Sequence, residues 1–252
     1  KFGVGGEIYG LGTTEIGRAA AKRKGIPITD ERPEHIINSN DPFWDPRMVD
    51  NRWVSLNNAE EIRQFFMALA ICHTVVVDNG SYEAESPDEE ALVRAARKFG
   101  YTFVHRGSDH ILIETQNGSH HRVEILEVIH FSSDRKRMSI VCKLPQGDIV
   151  IYSKGAETTM FPRLRDGTDF DTAERIQNSF AEEGLRPLVV ASKSLEPAFA
   201  KSWLANMKEA RSIIGNDKER EDQIADLAVE VECDLRLVGI TGVEDKLQDQ
   251  VP

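Results

Sequence analysis

The sequence is short of the features that would place it quickly. Its three cysteines (Cys72, Cys142, Cys233) lie far apart, with no Cys-x-x-Cys pair. Neither a disulfide framework nor a zinc knuckle is indicated, and a reducing, cytosolic setting fits. The longest apolar runs, such as FFMALAIC at 65–72, are far too short to span a bilayer, and no signal peptide is expected. Positive charge is in deficit: 31 Lys and Arg against 42 Asp and Glu give a net charge of −11 over 252 residues. That argues against a nucleic-acid surface or a general anionic-lipid surface, and leaves any anion site as a local pocket. The familiar phosphate cradles are missing too. There is no GxxxxGK[ST], and GVGGEIYG and GLGTTEIG lack the spacing and the strand–loop–helix setting of a dinucleotide fingerprint. His120 and His121 are adjacent, so on a strand they point to opposite faces and cannot chelate one metal together. No Ser/His/Asp or Cys/His set is placed by a motif.

What is present reads as a soluble globular protein. Hydrophobic residues make up 40% and charged residues 29%, enough for a real core in one large domain or two small ones. The chain opens on Lys1 and stops at KLQDQVP, which suggests a piece of something longer. Residues 2–9 read as a strand and 14–24 as a short helix; 25–52, rich in Pro, Asn and Asp, read as a long loop. Apolar residues at helical spacing predict a helix over 59–73. A second helix over 86–99 has its own start signal: Ser86 as N-cap, Pro87 at the first helical position and Glu89 as reciprocal capping partner. Five strand-like runs follow between 101 and 154, joined by short turns, which predicts an antiparallel meander. A helix over 171–184 is expected to be capped by Asp171 and Glu174 and closed by Gly184. A strand over 185–193, polar helices over 196–213 and 217–230, and a last strand over 235–241 complete an α+β chain, a largely antiparallel sheet flanked by helices.

One hairpin carries unusual chemistry. The stretch IHFSSDRKRMSIVCKLPQGDIVIYSKGAE (129–157) gathers an aromatic ring and several cations in an acidic chain. With Gln146-Gly147 as the tight turn, Pro145 pairs with Asp148 and Ser139 falls opposite Lys154. The segments 131–137 and 154–157 then leave the sheet at the same end, with Phe131, Lys136 and Lys154 within a ligand's length of one another. A ring beside fixed cations suits a purine carrying phosphates; a solvated basic strand end is the plain alternative. In this register Lys136 and Lys154 face opposite sides, so their convergence needs a bulge or turn before 138.

FSSDRKRMS (131–139) together with KGAE (154–157) resembles the nucleotide-binding domain of P-type ATPases. SPDEEALVRAA (86–96), EGLRPLVVA (183–191) and GVEDKLQD (242–249) look like the P4 branch, the phospholipid flippases. VGGEIYG near the start and CHTVVV (72–77) fall in the expected order, so the resemblance covers essentially the whole chain. It implies that Phe131 stacks on adenine and that Lys154 lines the base pocket. It implies that the small Gly155 and Ala156 let the backbone approach the base. Lys136 is implied to reach toward base and phosphates, and Arg186 to lie on the phosphate side. Glu89 is implied to accept from the adenine amino group, in competition with its capping role. The implied ligands are ATP and, with the nucleotide, Mg²⁺. The implied partners are phosphorylation and actuator domains, a phospholipid reached through transmembrane helices, and an accessory subunit, with no nucleic acid.

The implied reaction transfers the γ-phosphate to the Asp of an Asp-Lys-Thr-Gly-Thr motif, which does not occur in this sequence. The chain is therefore expected to bind ATP without turnover, with neither a catalytic residue nor a metal ligand of its own. It is expected to be a monomeric, soluble single domain over 1–252, on the cytosolic face of a membrane, its terminal strands (about 1–9 and 235–252) forming a hinge. Two positions depart from the family pattern: Glu157 where Asp is usual, and Pro187 where Thr is common. Pro187 predicts that its strand is an edge or begins after it. Another P-type branch, or a regulatory or interaction module with a relict pocket, remains an alternative.

Overall fold

Gly5 (φ 60°) and Gly6 (φ 82°) turn the chain back on itself in the computed structural model, which describes residues 1–27, 30–37, 42–78 and 80–244. The expected strand over 2–9 is therefore a hairpin of β1 (Phe2–Val4) and β2 (Glu7–Tyr9). Two consecutive positive-φ residues make the tight turn whose twist suits antiparallel strands. Helix α1 (Glu15–Lys24) starts at Thr14, whose Oγ1 accepts from the Gly17 amide. The expected loop over 25–52 carries α2 (Glu34–Ile37), a single helical turn, and the start of a 3-10 segment over Val49–Ser55. Asp45 fixes part of it. Its buried carboxylate accepts from the Gly10 amide at 3.0 Å and from Arg47 Nη2 at 2.8 Å. Residues 28–29 and 38–41 of this stretch lie outside the described residues, as do residues 245–252 of the expected hinge and of GVEDKLQD.

Helix α3 (Ala59–Ile71) follows, then β3 (Val76–Asp78) and β4 (Ser81–Glu83), a two-stranded sheet not anticipated above. Helix α4 (Pro87–Lys98) buries Leu92, Val93 and Ala96. The meander is β5 (Tyr101–Arg106), β6 (His110–Thr115), β7 (His120–Ile129), β8 (Arg137–Lys143) and β9 (Ile149–Gly155), each antiparallel to the next. After α5 (Glu157–Met160) comes α6 (Phe170–Glu182). Its cap is Asp169, whose carboxylate accepts from the Thr172 amide at 3.1 Å, and not Asp171 with Glu174. The helix simply begins one turn-position earlier, at Phe170, so Asp171 is already inside it. Strand β10 (Leu185–Leu195), helices α7 (Pro197–Arg211) and α8 (Asp217–Val231), and β11 (Arg236–Glu244) complete the chain.

The main sheet has nine strands in the order β2-β1-β11-β10-β9-β8-β7-β6-β5. This is the expected α+β architecture. The expectation drawn from Pro187 fails: β10 begins at Leu185, runs through the proline, and lies between β11 and β9. A proline removes one ladder donor, and an eleven-residue strand that opens only two residues earlier loses it near its end.

Two compact units divide the chain: Lys1–Phe65 with Asp169–Val189 and Val238–Pro252, and Phe66–Thr168 with Val190–Leu237. In the first, Phe2 stacks on Tyr9 and Phe65 with centroids 4.9 and 5.2 Å apart. There β1 pairs with β11, Phe2 opposite Thr241. In the second, Phe66 stacks on Phe99 at 4.6 Å, and the Trp203 indole on α7 donates to Leu227 O on α8 at 2.8 Å. Among the described residues no helix is long and apolar enough to cross a membrane.

Candidate functional site

The site grows out of the turn between β8 and β9. Lys143 pairs with Ile149, Ser139 with Ser153 and Met138 with Lys154. The Leu144 amide donates to Asp148 O, and the Gly147 amide (φ 101°) to Leu144 O. The connection is thus the three residues Pro145, Gln146 and Gly147, one more than the two-residue turn expected from the sequence. Ser153, not Lys154, lies opposite Ser139. Because side chains alternate along a strand, this one-residue difference moves Lys154 to the other face of β9 from the one predicted. A longer loop ending in a positive-φ glycine is the next common hairpin solution, and Pro-Gln-Gly-Asp accommodates either.

On that face Lys154 is buried, 7% exposed, and its Nζ donates to Glu89 Oε1 at 2.8 Å. Glu89 lies in the first turn of α4. Its second oxygen accepts from Thr74 Oγ1 at 2.7 Å and from the Thr74 amide at 3.3 Å. Ser86 does cap α4, through the Asp88 amide, but the reciprocal capping role expected of Glu89 is not made. A buried ammonium is the stronger partner for a half-buried carboxylate. Burial pushes the Glu89 carboxyl upward; the Lys154 charge and the hydrogen bonds from Lys154 and Thr74 outweigh it and hold the group below its ordinary value. Next to this pair, His73 is fully buried. Arg106 donates to His73 Nδ1 at 3.3 Å and to His73 O at 2.6 Å. With Nδ1 accepting, the ring is neutral and its Nε2–H donates to Ala70 O at 2.9 Å. Burial first, then the Arg106 and Lys154 charges, hold its pKa well below the usual histidine value.

Phe131, Lys136, Gly155 and Ala156 belong to the β7–β8 loop and the end of the β8–β9 pair. Phe131 follows β7 and is 64% exposed, so it is not a core residue. Lys136 is exposed and sits at φ 49°, immediately before β8. The chain does turn before 138, but the register that made such a turn necessary is not the observed one, since Met138 and not Ser139 pairs with Lys154. The Lys136 amide donates to Ser132 O at 2.8 Å, and the Ala156 amide donates to Lys136 O at 3.0 Å. The loop 131–136 is thereby closed against the Lys154–Ala156 segment. Gly155 has a reason within the chain itself: a Cβ there would lie 2.4 Å from Arg137 Cβ and 2.6 Å from Lys136 O. Arg186 is exposed near the start of β10, in the unit that contains none of the other six. So Glu89 and Lys154 touch directly; Lys136, Gly155 and Ala156 are joined through the backbone; Phe131 is on the same loop as Lys136.

Four participants are not singled out by the sequence. His73 and Thr74 lie within CHTVVV, and Arg106 ends an ordinary strand pattern. Glu232, at the C-terminal end of a polar helix, had no distinguishing signal at all; it is fully buried against Arg135 and Arg137.

A family model described as P-type ATPase, cytoplasmic domain N, matches residues 61–250. The chain is 37% identical over its whole length to Phospholipid-transporting ATPase 10 of Arabidopsis thaliana and covers 22% of that protein. It is 39% identical over its whole length to Phospholipid-transporting ATPase IC of Mus musculus, covering 20% of it. With Phospholipid-transporting ATPase IC of Homo sapiens the identity is 39% over 83% of this chain and 17% of the relative. The chain thus spans about a fifth of the length of these relatives.

Proposed function

The chain belongs to the P-type ATPase cytoplasmic domain N family, and from that premise we propose that it holds the adenine end of ATP at the open end of the β8–β9 hairpin. Phe131 supplies the ring for stacking and the exposed Lys136 a cation. Glu89 orients the adenine amino group while Lys154 lines the base pocket beside it. Gly155 and Ala156 complete the pocket wall. The observation that carries the reading is an exposed aromatic ring on a loop fastened by backbone hydrogen bonds to the Lys154–Ala156 segment. A hydrophobic ring kept in water beside cations suits a flat ligand that carries negative charge.

An exposed ring and cations are suited to ATP. Mg²⁺ would arrive bound to the nucleotide phosphates. Positioning is the contribution of this chain: the pocket orients the base and leaves the triphosphate pointing outward. In the longer parent, the γ-phosphate would pass to an Asp of a phosphorylation domain and drive phospholipid movement across a membrane. The pairing of β1 with β11 brings Lys1 and Gly242 side by side, the Gly242 amide donating to Lys1 O at 2.8 Å. It supports the reading of the terminal strands as a hinge. Ring stacking and a few cations give an affinity on the order of 0.1–10 mM.

A two-dimensional NMR titration with ATP, then AMP, each with and without Mg²⁺, tests this. Shifts clustered at 86–89, 131–137 and 154–157, with AMP nearly as good as ATP, are expected. Silence at millimolar ligand would mean that the Glu89–Lys154 pair closes the pocket on itself, and the interaction-module reading would replace this one.

A further inference from the structure

We infer that Glu232 is a positioning residue for the loop carrying Phe131 and Lys136, an inference that rests on the nucleotide reading above. Glu232 directly follows α8 and is fully buried. Its Oε1 accepts from Arg135 Nη2 at 2.6 Å and from Ser139 Oγ; its Oε2 accepts from Arg137 Nε at 2.7 Å. Ser139 Oγ also lies 2.7 Å from Ser153 Oγ on β9. The two arginines flank Lys136 in sequence, and Arg137 Nη1 donates back to Arg135 O at 3.0 Å. Lys136 itself is left-handed, a state that a non-glycine residue keeps only where its surroundings over-determine it. Those surroundings are the Ser132, Ala156 and Arg135 hydrogen bonds and the single carboxylate that grips both neighbours.

A buried ion cluster is a poor source of stability compared with apolar packing of equal volume. It does fix side chains in one arrangement, and a loop already fixed loses less freedom when a ligand arrives. Glu232 therefore acts on nucleotide affinity without touching nucleotide, by holding Arg135 and Arg137 so that Phe131 and Lys136 stay presented.

The test compares wild type, Arg135→Gln, Arg135→Lys, Glu232→Gln and Phe131→Ala in titrations with ATP and with adenosine, alongside thermal unfolding and amide exchange. Arg135→Gln leaves Arg137 paired with Glu232 and is expected to fold. It should weaken ATP and adenosine by the same factor, about three- to thirtyfold, within the range of coupling in one hydrogen-bonded network. Exchange at the Lys136 and Ala156 amides should quicken, and Arg135→Lys should recover most of the affinity. Glu232→Gln should weaken both ligands at least as much; if it fails to fold, the Arg135 variants still decide. Loss confined to ATP would make Arg135 a phosphate contact and overturn the positioning role. So would Arg135→Gln binding as wild type while Phe131→Ala loses binding. A wild-type chain without saturable binding would overturn the nucleotide reading, and this inference with it.

Discussion

Lys154 pairs with Met138 near the start of β8 and Lys136 immediately precedes that strand, yet their surroundings give them different work. Lys154 is buried against Glu89, so any charge change there leaves an unpaired buried ion. Lys154→Glu is expected to cost about 3–5 kcal/mol of stability, and a loss of binding in that variant would report unfolding as much as ligand chemistry. Lys136 is the cleaner probe, being exposed at positive φ. Lys136→Asn suits the left-handed backbone; it should leave the melting temperature near that of wild type and weaken ATP more than adenosine. Phe131→Ala should cost about 1–3 kcal/mol of binding through lost stacking, with little change in unfolding, because the ring buries little now. Titration calorimetry with both ligands checks each.

His73 sets an acid limit. Its folded pKa lies well below the ordinary 6.5, so below that pH the unfolded chain takes up a proton the folded chain refuses. Stability should fall as pH drops below about 6.5, by up to about 1.4 kcal/mol per unit. Glu89, held below its ordinary 4.5, stabilises above that value, and its contribution is lost as pH falls through the folded value. Two acid steps are expected in denaturant unfolding followed against pH. His73→Asn should lower stability at neutral pH and flatten the upper step.

At the scale of elements, β8 and β9 can lie close only because position 155 has no side chain. Gly155→Ala pushes a methyl into Arg137 Cβ and Lys136 O and should destabilise by about 1–3 kcal/mol, measured by thermal unfolding. The meander, helices α3 and α4, and both polar helices were legible in the sequence because their apolar spacing repeats over many residues. The turn at 145–147 was not, since Pro-Gln-Gly-Asp fits a two- or a three-residue loop. The hairpin of β1 and β2 was hidden by its brevity, although Gly5-Gly6 marks it. The cap of α6 was missed by two residues because Asp169 and Asp171 are equally good candidates. Glu89 followed a capping-box pattern, yet its partner Lys154 is 65 residues away in sequence. A local rule cannot weigh a tertiary competitor that strong.

For the whole molecule, a weak ligand still leaves a thermal signature. At about ten times its dissociation constant, ATP should add about 1.4 kcal/mol of stability, or about 2–5 °C for a chain of this length, read by calorimetric melting. The same shift with AMP would mark adenine as the held end. The family was legible at this scale from five ordered motifs. The division into two units was not, because β10 and β11 each contribute residues to both and nothing in either strand's letters marks the crossing. The fixed pairing of β8 with β9 bears on how such a chain can diverge. A point substitution in β9 alters one contact. A codon gained or lost between Ile149 and Ser153 exchanges the inward and outward sets of the strand's remainder and swings Lys154 away from Glu89. Inheritance here must guard a count of residues more strictly than their identities, and length variation should be shed into the 145–147 loop, where it turns no side chain around.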